Sequence, residues 1–302
     1  MKIVVSGATG LIGSALTPRL RSQGHDVVPL VRRATRPGEH AIAWDPEAGT
    51  IDRAGLEGSD VVINLAGENV FGRWTAAKKQ RIRNSRVNGT RRLSEALAGL
   101  ARRPSVLLAA SAIGYFGDRG DEELTETSRP GDDFLAVVAR DWEAATEPAA
   151  RAGIRVVNLR FGVVLTPTGG ALAKMLTPFR LGLGGHVGSG RQVLSWIALD
   201  DALGAIMHAL TTPSLAGPVN VTAPGPVTNR DFAKTLGRVL GRPAVVPVPA
   251  FALRMAFGAE GADMLQSGQR VLPARLLASG FRFQYGEVEA ALRDLLQRPA
   301  AS

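Results

Sequence analysis

The sequence predicts an α/β fold, in which a doubly wound, mostly parallel sheet is followed by a smaller, mainly helical C-terminal lobe. Strand and helix signals alternate through the first 165 residues, which is typical of right-handed βαβ units. A short β-branched run ends in glycines at 7, 10 and 13, directly before an amphipathic segment. After position 165 the alternation gives way to a glycine-rich loop at 182–190 and later to short helices. Together these patterns indicate a Rossmann-like sheet.

The predicted elements follow in order along the chain. After the first strand and a helix over 11–23, strands are predicted at 26–31, 40–44, 60–64, 105–110 and 155–160, with helices at about 75–100 and 133–152. A helix over 199–211 and a strand at 218–221 return to the sheet, and a proline-rich break lies at 243–249. We therefore expect a sheet domain over 1–165 that also includes residues of about 197–222. A C-terminal lobe made of 166–196 and 223–302 would close over the ligand.

The glycine turn at the start of the chain indicates a dinucleotide-binding site. Glycines let such a turn close, let the backbone approach a pyrophosphate, and let the helix pack close to the strand. Free amides at the helix N-terminus then point at the phosphates. The motif lies between a strand and a helix, as this interpretation requires. We expect cofactor contacts from the whole turn, namely Gly7, Ala8, Thr9, Gly10, Leu11, Ile12 and Gly13.

The end of the second strand favours NADP(H) over NAD(H). An NAD site places a carboxylate about 20 residues after the glycines, where it binds the ribose 2′-hydroxyl. Here the strand ends in Arg32 and Arg33. A guanidinium makes charge-assisted bonds to a 2′-phosphate, which a carboxylate would repel. The alternative is that the two arginines are only solvated surface charge.

Composition excludes several classes of protein. The 302 residues include no cysteine and four scattered histidines, so thiolate catalysis and Cys- or His-rich metal sites are not expected. There is no run of 18 apolar residues and no signal peptide, which predicts a cytoplasmic protein without a membrane partner. The net charge of +9 invites a nucleic-acid hypothesis. Because arginine is spread along the whole chain, we expect no nucleic-acid partner.

Three further segments indicate a family. They lie at 64–67, 159–165 and 196–201. With the Gly-x-x-Gly-x-x-Gly spacing, they resemble the extended or atypical short-chain dehydrogenase/reductases of the NAD-dependent epimerase/dehydratase group. The resemblance covers nearly the whole chain. It implies further cofactor contacts, namely Leu65, Ala66, Gly67, Ser111 and Arg160.

A narrower resemblance is to the branch named epimerase family protein, which carries a distinctive, DUF1731-like C-terminal helical domain. It rests on the segments 67–70, 73–75, 111–117, 140–143, 271–275 and 280–283. The branch implies an NADP-binding protein whose physiological reaction is poorly defined.

The chain departs from the superfamily at the residues that usually carry the chemistry. A Tyr-x-x-x-Lys pair normally lies on the helix after the fifth strand, where the tyrosine acts as acid or base. Neither Tyr115 nor Tyr285 is followed by a lysine four residues later. Alignment on the 140–143 segment puts Leu135 and Ala139 at the positions of the pair. The standard proton relay is therefore absent.

Other polar residues near the predicted cleft are candidates for catalysis and substrate binding. Ser111 could hold a substrate carbonyl, or it could be satisfied by the turn backbone. Tyr115 could supply a phenol, or it could be a packed loop aromatic. The candidates for substrate contact are Glu68, Asn69, His186, Arg191 and Gln192. Glu68 and Asn69 could equally shape their loop, and a loop histidine is often only solvated.

These residues favour an NADP(H)-dependent oxidoreductase or epimerase-like enzyme acting on a small carbonyl or hydroxyl compound. The alternative is a catalytically silent NADP(H)-binding sensor or regulatory protein, favoured by the absence of Tyr-x-x-x-Lys. The retained Ser111 and Tyr115 favour the enzyme. The sequence leaves open the substrate, the direction of reaction, and whether the chain is a monomer or a homodimer.

Overall fold

The computed structural model describes residues 1–36 and 38–297. Its strands are β1 Lys2–Ser6, β2 Asp26–Val31, β3 Ile42–Asp45, β4 Thr50–Ile51, β5 Val61–Asn64, β6 Val106–Ala112, β7 Glu123–Leu124, β8 Arg155–Phe161, β9 Val163–Thr166, β10 Val193–Leu194, β11 Trp196–Ala198, β12 Gly217–Val221, β13 Val227–Thr228 and β14 Arg270–Val271. Its α-helices are α1 Leu11–Ser22, α2 Arg53–Leu56, α3 Ala76–Ala98, α4 Phe134–Ala144, α5 Glu147–Arg151, α6 Gly170–Arg180, α7 Leu199–Thr211, α8 Asn229–Leu240, α9 Ala250–Gln266, α10 Ala274–Ala278 and α11 Val288–Gln297. A short 3-10 helix covers Ile113–Phe116.

The main sheet has eight strands in the order β12-β8-β6-β5-β1-β2-β3-β4. All neighbours are parallel except β3 and β4, which are antiparallel. The chain runs outward from β1 through β2 and β3 to β4 and then crosses back to β5. The strand order therefore reverses between β1 and β5, which is where ligands bind in open α/β sheets. The predicted fold class is confirmed.

Both faces of the sheet are covered by helices. Ile3 and Val5 of β1 face a core that includes residues of α1 and α7, whereas Val4 faces a core that includes residues of α2, α3 and α5. This arrangement explains why β1 and β5 read as continuous apolar runs rather than as alternating patterns, since both faces of a parallel sheet are buried.

The predicted helix over 133–152 is wrong as a single element. The structure has α4 and α5, separated at Ala145 and Thr146. Pro148 lies in the first turn of α5. A continuous helix would require an amide hydrogen that proline lacks, and its ring would clash with the carbonyl of Ala144. Pro148 therefore ends one helix and begins the next.

The second half of the chain contains elements that the sequence reading does not predict, chiefly α6 and three two-stranded ladders. The ladders pair β9 with β11, β10 with β13, and β7 with β14. Helices α6, α8 and α11 share a separate apolar core. Asp201 of α7 accepts backbone amide hydrogens from Gln284 at 2.7 Å and Tyr285 at 3.0 Å, which attaches the C-terminal segment to the sheet domain. The exact division into a sheet domain and a lobe stays a prediction.

Candidate functional site

The turn between β1 and α1 is sterically restricted at Gly7. This residue has a φ of +67°, in the left-handed region that favours glycine. A Cβ atom at this position would lie 2.8 Å from both the carbonyl carbon and the carbonyl oxygen of Leu65. Because Leu65 directly follows β5, Gly7 lets the backbone turn past the neighbouring strand at the point where the strand order reverses. The turn therefore lies where a ligand of such a sheet is expected.

Gly10 and Gly13 keep the start of α1 close to this turn. A Cβ atom at Gly13 would lie 2.2 Å from the carbonyl oxygen of Gly7, and one at Gly10 would lie 3.2 Å from the same atom. The N-cap residue of α1, Gly10, has no side chain that could cap the helix, and the first turn of α1 contains no acidic residue. The backbone amides of that turn and the helix dipole are therefore available to an anion. A dinucleotide pyrophosphate fits this arrangement.

Arg32 and Arg33 directly follow β2, and both are exposed. Arg33 is paired with Glu39, with NH1 donating to Oε2 at 2.9 Å and NH2 donating to Oε1. The hydrogen bonds from Arg33 are the main reason why the pKa of Glu39 is lowered to about 2. Arg32 has no hydrogen bond or ion pair with any residue in 1–36 or 38–297. It lines an open cleft beside Trp44 and Asp45, so it is the freer of the two arginines to bind a 2′-phosphate.

A buried serine holds the backbone that follows β5. Ser6 Oγ donates to Asn64 Oδ1 at 2.5 Å. It also accepts hydrogen bonds from the amides of Leu65 and Ala66, each at 3.2 Å. These bonds fix the direction of the loop that leads to Gly67, beside the glycine turn. Cofactor contact by Leu65, Ala66 and Gly67 stays a prediction.

The same network extends to two helices. Asn64 Nδ2 and Trp142 Nε1 both donate to Thr90 Oγ1 at 2.9 Å. Thr90 belongs to α3 and Trp142 to α4, so one buried hydroxyl ties both helices to the end of β5. The sequence reading identified none of these partners, because they lie far apart in the chain.

Glu68 and Asn69 take part in contacts within their own region. Glu68 Oε1 accepts a hydrogen bond from Lys78 Nζ at 2.7 Å and lies 3.7 Å from Arg81 Nε. The hydrogen bond from Lys78 holds the pKa of the Glu68 carboxyl below its usual range. Asn69 Oδ1 accepts from the amide of Phe71 at 2.9 Å. These contacts favour the loop-shaping alternative, and substrate contact stays a prediction.

Ser111 is held by a half-buried carboxylate. Its Oγ donates to Glu143 Oε1 at 2.7 Å. Arg160 lies opposite Ser111 in the β6–β8 register and binds the same carboxylate at both oxygens, from Nε at 2.7 Å and from NH2 at 2.8 Å. Glu143, rather than the turn backbone, therefore orients Ser111. The Arg160 side chain is only 2% exposed, and it holds the Glu143 carboxylate that orients Ser111. Direct cofactor contact by Arg160 stays a prediction.

Tyr115 stacks on this ion pair. The centroid of its ring lies 3.5 Å from Arg160 Cζ, and the ring also makes an edge contact with Phe116. Its hydroxyl forms no hydrogen bond within 1–36 and 38–297 and is not sealed from solvent. The ring is therefore packed, as expected of a loop aromatic. The hydroxyl has no partner among the described residues, as the phenol role requires.

The remaining candidates lie around the glycine-rich loop. Gln192 Nε2 donates to the carbonyl oxygens of Val187 at 3.0 Å and Leu265 at 3.4 Å, so its amide supports the loop. Arg191 is exposed and His186 is half-buried. Neither side chain forms a hydrogen bond with the described part of the chain. Their roles in substrate binding stay predictions.

Two residues that the sequence reading did not assign to the site contribute charge near it. Glu143 appeared only as part of a family-like segment, and its partners Ser111 and Arg160 follow from tertiary structure alone. Arg86 of α3 reaches back to the loop after β5, where its NH1 donates to the carbonyl oxygen of Glu68 at 2.9 Å. Their position in the fold is the only signal that marks them.

Across residues 1–36 and 38–297, no cluster of three or more His, Cys, Asp or Glu side chains has an arrangement that could hold a metal ion. No helix in these same segments has the length and apolar character needed to cross a membrane. The cellular compartment stays a prediction.

The model of the NAD-dependent epimerase/dehydratase family matches residues 3–222. The chain belongs to this family. A second model, the domain of unknown function DUF1731, matches residues 248–295. The resemblance to the branch with the distinctive C-terminal domain is therefore confirmed.

Relatives of this branch match along nearly their full length. An epimerase family protein of Mycobacterium bovis is 43% identical over 298 residues, which cover 98% of each chain. One from Bacillus subtilis is 41% identical over 300 residues, again covering 98% of each chain. A crystal structure of human epimerase family protein SDR39U1 (isoform 2) with NADPH has a TM-score of 0.91 and 37% identity, covering 99% of this chain and 100% of that one. At the level of the family and this relative, the predicted NADP(H) cofactor is confirmed.

Proposed function

We propose that this chain binds NADP(H) and acts as an oxidoreductase or epimerase-like enzyme on a small carbonyl or hydroxyl compound. The observation that carries the proposal is the glycine turn at the strand reversal. Cβ atoms at Gly7 and Gly13 would collide with backbone, and Gly10 leaves the start of α1 without a cap from its own side chain. The NADPH in the human relative supports the same cofactor here.

The residues present fit the two phosphate-bearing parts of the cofactor. The amides at the start of α1 would hold the pyrophosphate, and Arg32 would bind the 2′-phosphate. When bound, the nicotinamide supplies the hydride chemistry, while the protein orients the substrate and moves the proton.

Ser111 and Tyr115 have complementary roles in this proposal. The Ser111 hydrogen is donated to Glu143, so its oxygen is left to accept a hydrogen bond from a substrate hydroxyl. The Tyr115 hydroxyl has no hydrogen-bond partner among residues 1–36 and 38–297, so it can donate to a carbonyl oxygen. A phenol donates a proton at neutral pH more readily than it accepts one. We therefore assign the proton-donor role to Tyr115.

The second candidate function is a sensor that binds NADP(H) without turnover. One specific observation favours it: Glu143, the carboxylate that holds Ser111, is neutralised by the buried Arg160 through two hydrogen bonds. Such an ion pair stabilises the positions of the side chains around Ser111 rather than exchanging protons with a substrate.

Turnover assays on Tyr115→Phe distinguish the two candidates. NADPH oxidation is first screened against a panel of small aldehydes, ketones and sugar-derived carbonyls. If a substrate is found, removal of the phenol is expected to lower kcat by about 10²–10⁴-fold, the usual contribution of positioned proton transfer. NADPH affinity is expected to stay unchanged.

Tyr285→Phe is the matched control, because it removes the other phenol of the chain. Its hydroxyl bonds Asp294 and Gln284, and the ring belongs to the core of α6, α8 and α11. Its kcat is expected to match that of the unmodified protein. NADPH binding without turnover on any carbonyl would favour the sensor. Absence of NADPH binding would refute both candidates.

A further inference from the structure

Two segments of the C-terminal half carry most of the exposed large apolar side chains of the protein. One segment follows α6 and the other follows α8 and runs into α9. Among residues 1–36 and 38–297, nine large apolar side chains are exposed, and six of them lie within 181–183 and 245–255. These six are Leu181, Leu183, Val245, Val246, Phe251 and Met255. Single exposed apolar residues are normal, whereas a cluster of them marks an interaction site.

Backbone hydrogen bonds hold the two segments side by side. The amide of Val246 donates to the carbonyl oxygen of Gly184 at 3.0 Å, and the amide of Val248 donates to that of His186 at 2.8 Å. Helix α9 begins two residues after Val248. We use the name apolar patch for the four exposed side chains on the paired segments, Leu181, Leu183, Val245 and Val246.

The backbone around the apolar patch is tightly packed. A Cβ atom at Gly185 would lie 2.0 Å from the carbonyl oxygen of Val246, and one at Gly184 would lie 2.4 Å from the ring of Phe179. Phe179 belongs to the core of α6, α8 and α11. Prolines at 243, 247 and 249 keep the second segment from forming a helix, because they lack the amide hydrogen that a helix needs. The patch is therefore a fixed feature of the surface.

The charge beside the patch is positive and unpaired. The sequence has no acidic residue in 148–199 or in 232–259. Arg180 directly precedes Leu181, Arg242 lies three residues before Val245, and both arginines are exposed. Neither side chain forms a hydrogen bond or an ion pair with residues 1–36 or 38–297.

Other arginines of the same region have acidic partners. Arg238 is paired with Glu289, and Arg254 NH2 lies 3.9 Å from Asp263 Oδ1. Acidic side chains from other elements thus reach the neighbouring arginines, but among the described residues none is paired with the two that flank the patch. The apolar patch and its two arginines therefore form a surface that is complementary to a partner both apolar and negatively charged.

We infer that the apolar patch docks this protein onto the surface of a membrane that contains anionic lipids. Aliphatic side chains of a peripheral protein enter the boundary between headgroups and acyl chains, and nearby arginines are attracted by the negative surface potential. The expectation of no membrane partner rests on the absence of a long apolar run. That absence excludes a spanning helix and leaves contact with the membrane surface open.

A second copy of this chain fits the patch less well. In a two-fold symmetric contact centred on the patch, Arg180 and Arg242 of one protomer would lie close to those of its partner. Each chain also carries a net charge of +9, and like charges across an interface are unfavourable. The patch contains no tyrosine or tryptophan, the residues that dominate the binding energy of protein interfaces. These features favour a lipid surface over a protein partner.

Co-sedimentation of the full chain with vesicles tests the inference. The vesicles are either pure phosphatidylcholine or an equimolar mixture of phosphatidylcholine and phosphatidylglycerol. Leu183→Ser and Val245→Ser each remove an apolar side chain, and Arg242→Gln removes a charge. Leu277→Ser is the control for the first two, because Leu277 is exposed on α10, outside the two segments. Arg151→Gln is the control for the third, because it removes an exposed charge from α5.

The unmodified protein is expected to bind the mixed vesicles and to leave pure phosphatidylcholine vesicles unbound. Leu183→Ser should weaken binding to the mixed vesicles by roughly 10-fold, because less apolar area leaves water. Arg242→Gln should weaken it by roughly fivefold, the usual contribution of one basic residue near an anionic surface. Both controls should bind as the unmodified protein does.

Absence of binding to the mixed vesicles by the unmodified protein overturns the inference. Equal binding by all variants also overturns it, because the net charge alone would then explain the attraction. Light scattering on the same samples gives the oligomeric state. A dimer that Leu183→Ser converts to a monomer would show that a second copy covers the patch, which overturns the inference as well.

Thermal unfolding by circular dichroism verifies that each variant is folded, and Val245→Ser decides the question if Leu183→Ser fails to fold. NADPH affinity, measured by calorimetry without vesicles, is expected to be unchanged in every variant, since none of these residues belongs to the proposed cofactor site. Failure of the membrane inference therefore leaves the proposed function standing.

Discussion

Substitution of Gly10 by valine is expected to separate cofactor binding from folding. Gly10 has φ −77° and ψ 176°, an extended conformation that any residue adopts. It is exposed, and an added Cβ would meet only the Gly7 carbonyl oxygen, at 3.2 Å. The cost of an apolar residue at this N-cap is about 1 kcal/mol, which lowers Tm by roughly 2 °C in a chain of this size. The valine methyl groups would instead occupy the space of the pyrophosphate.

Gly13→Ala is the contrasting variant. Its Cβ would lie 2.2 Å from the Gly7 carbonyl oxygen and 2.8 Å from Ala8 Cα, so the turn itself must move. Overpacking of this kind costs about 1–3 kcal/mol, which lowers Tm by roughly 2–6 °C. We therefore expect Gly13→Ala to lose both stability and NADPH affinity.

Calorimetric titration with NADPH and thermal unfolding by circular dichroism check both variants. Gly10→Val should bind NADPH at least roughly 100-fold more weakly, because the ligand can no longer approach the helix amides. A folded Gly10→Val protein with unchanged affinity would show that the turn does not hold the pyrophosphate. The NADPH affinity of Gly10→Ala, which adds only one methyl group, should lie between those of the unmodified protein and Gly10→Val.

Two further variants test the charges around the site. Arg32→Ala is expected to weaken NADPH binding by roughly 10–100-fold while leaving the affinity for NADH unchanged. Arg33→Ala should weaken NADPH binding less, because that guanidinium is already paired with Glu39. Equal losses of affinity in calorimetry would contradict this ranking. Glu143→Gln leaves Arg160 buried without its counter-charge and should cost about 3–5 kcal/mol in urea unfolding. Glu147→Gln, which removes an exposed ion pair, is the control and should cost less than about 1 kcal/mol.

The sheet domain was predictable because its signals are local. The β1 strand, the glycine turn and α1 follow directly from an apolar run, three glycines and an amphipathic segment, and β2 has the predicted bounds. Short strands such as β4 and β7 pair through only two residues, so they leave no periodic pattern. The break between α4 and α5 depends on Pro148, which the apolar periodicity of 133–152 masks.

The site was predictable only in part, because a residue type does not indicate its partners. Arg160 was expected beside the cofactor from a family-like segment, but the structure places its guanidinium against Glu143 and Tyr115. Glu143 is 17 residues from Arg160 and 32 from Ser111, separations at which no local pattern operates. Arg86 stands out only once the fold places it beside the loop after β5.

The absence of Tyr-x-x-x-Lys limits the ways in which this site can transfer a proton. Ala139, at the position of the missing lysine, is 3% exposed and carries no donor. The Arg160 charge is balanced by Glu143, and the Ser111 hydrogen is already donated to the same carboxylate. Tyr115 remains as the group of this cluster whose hydrogen is uncommitted. Loss of that one hydroxyl should therefore abolish most of any turnover, whereas a sensor would be indifferent to it.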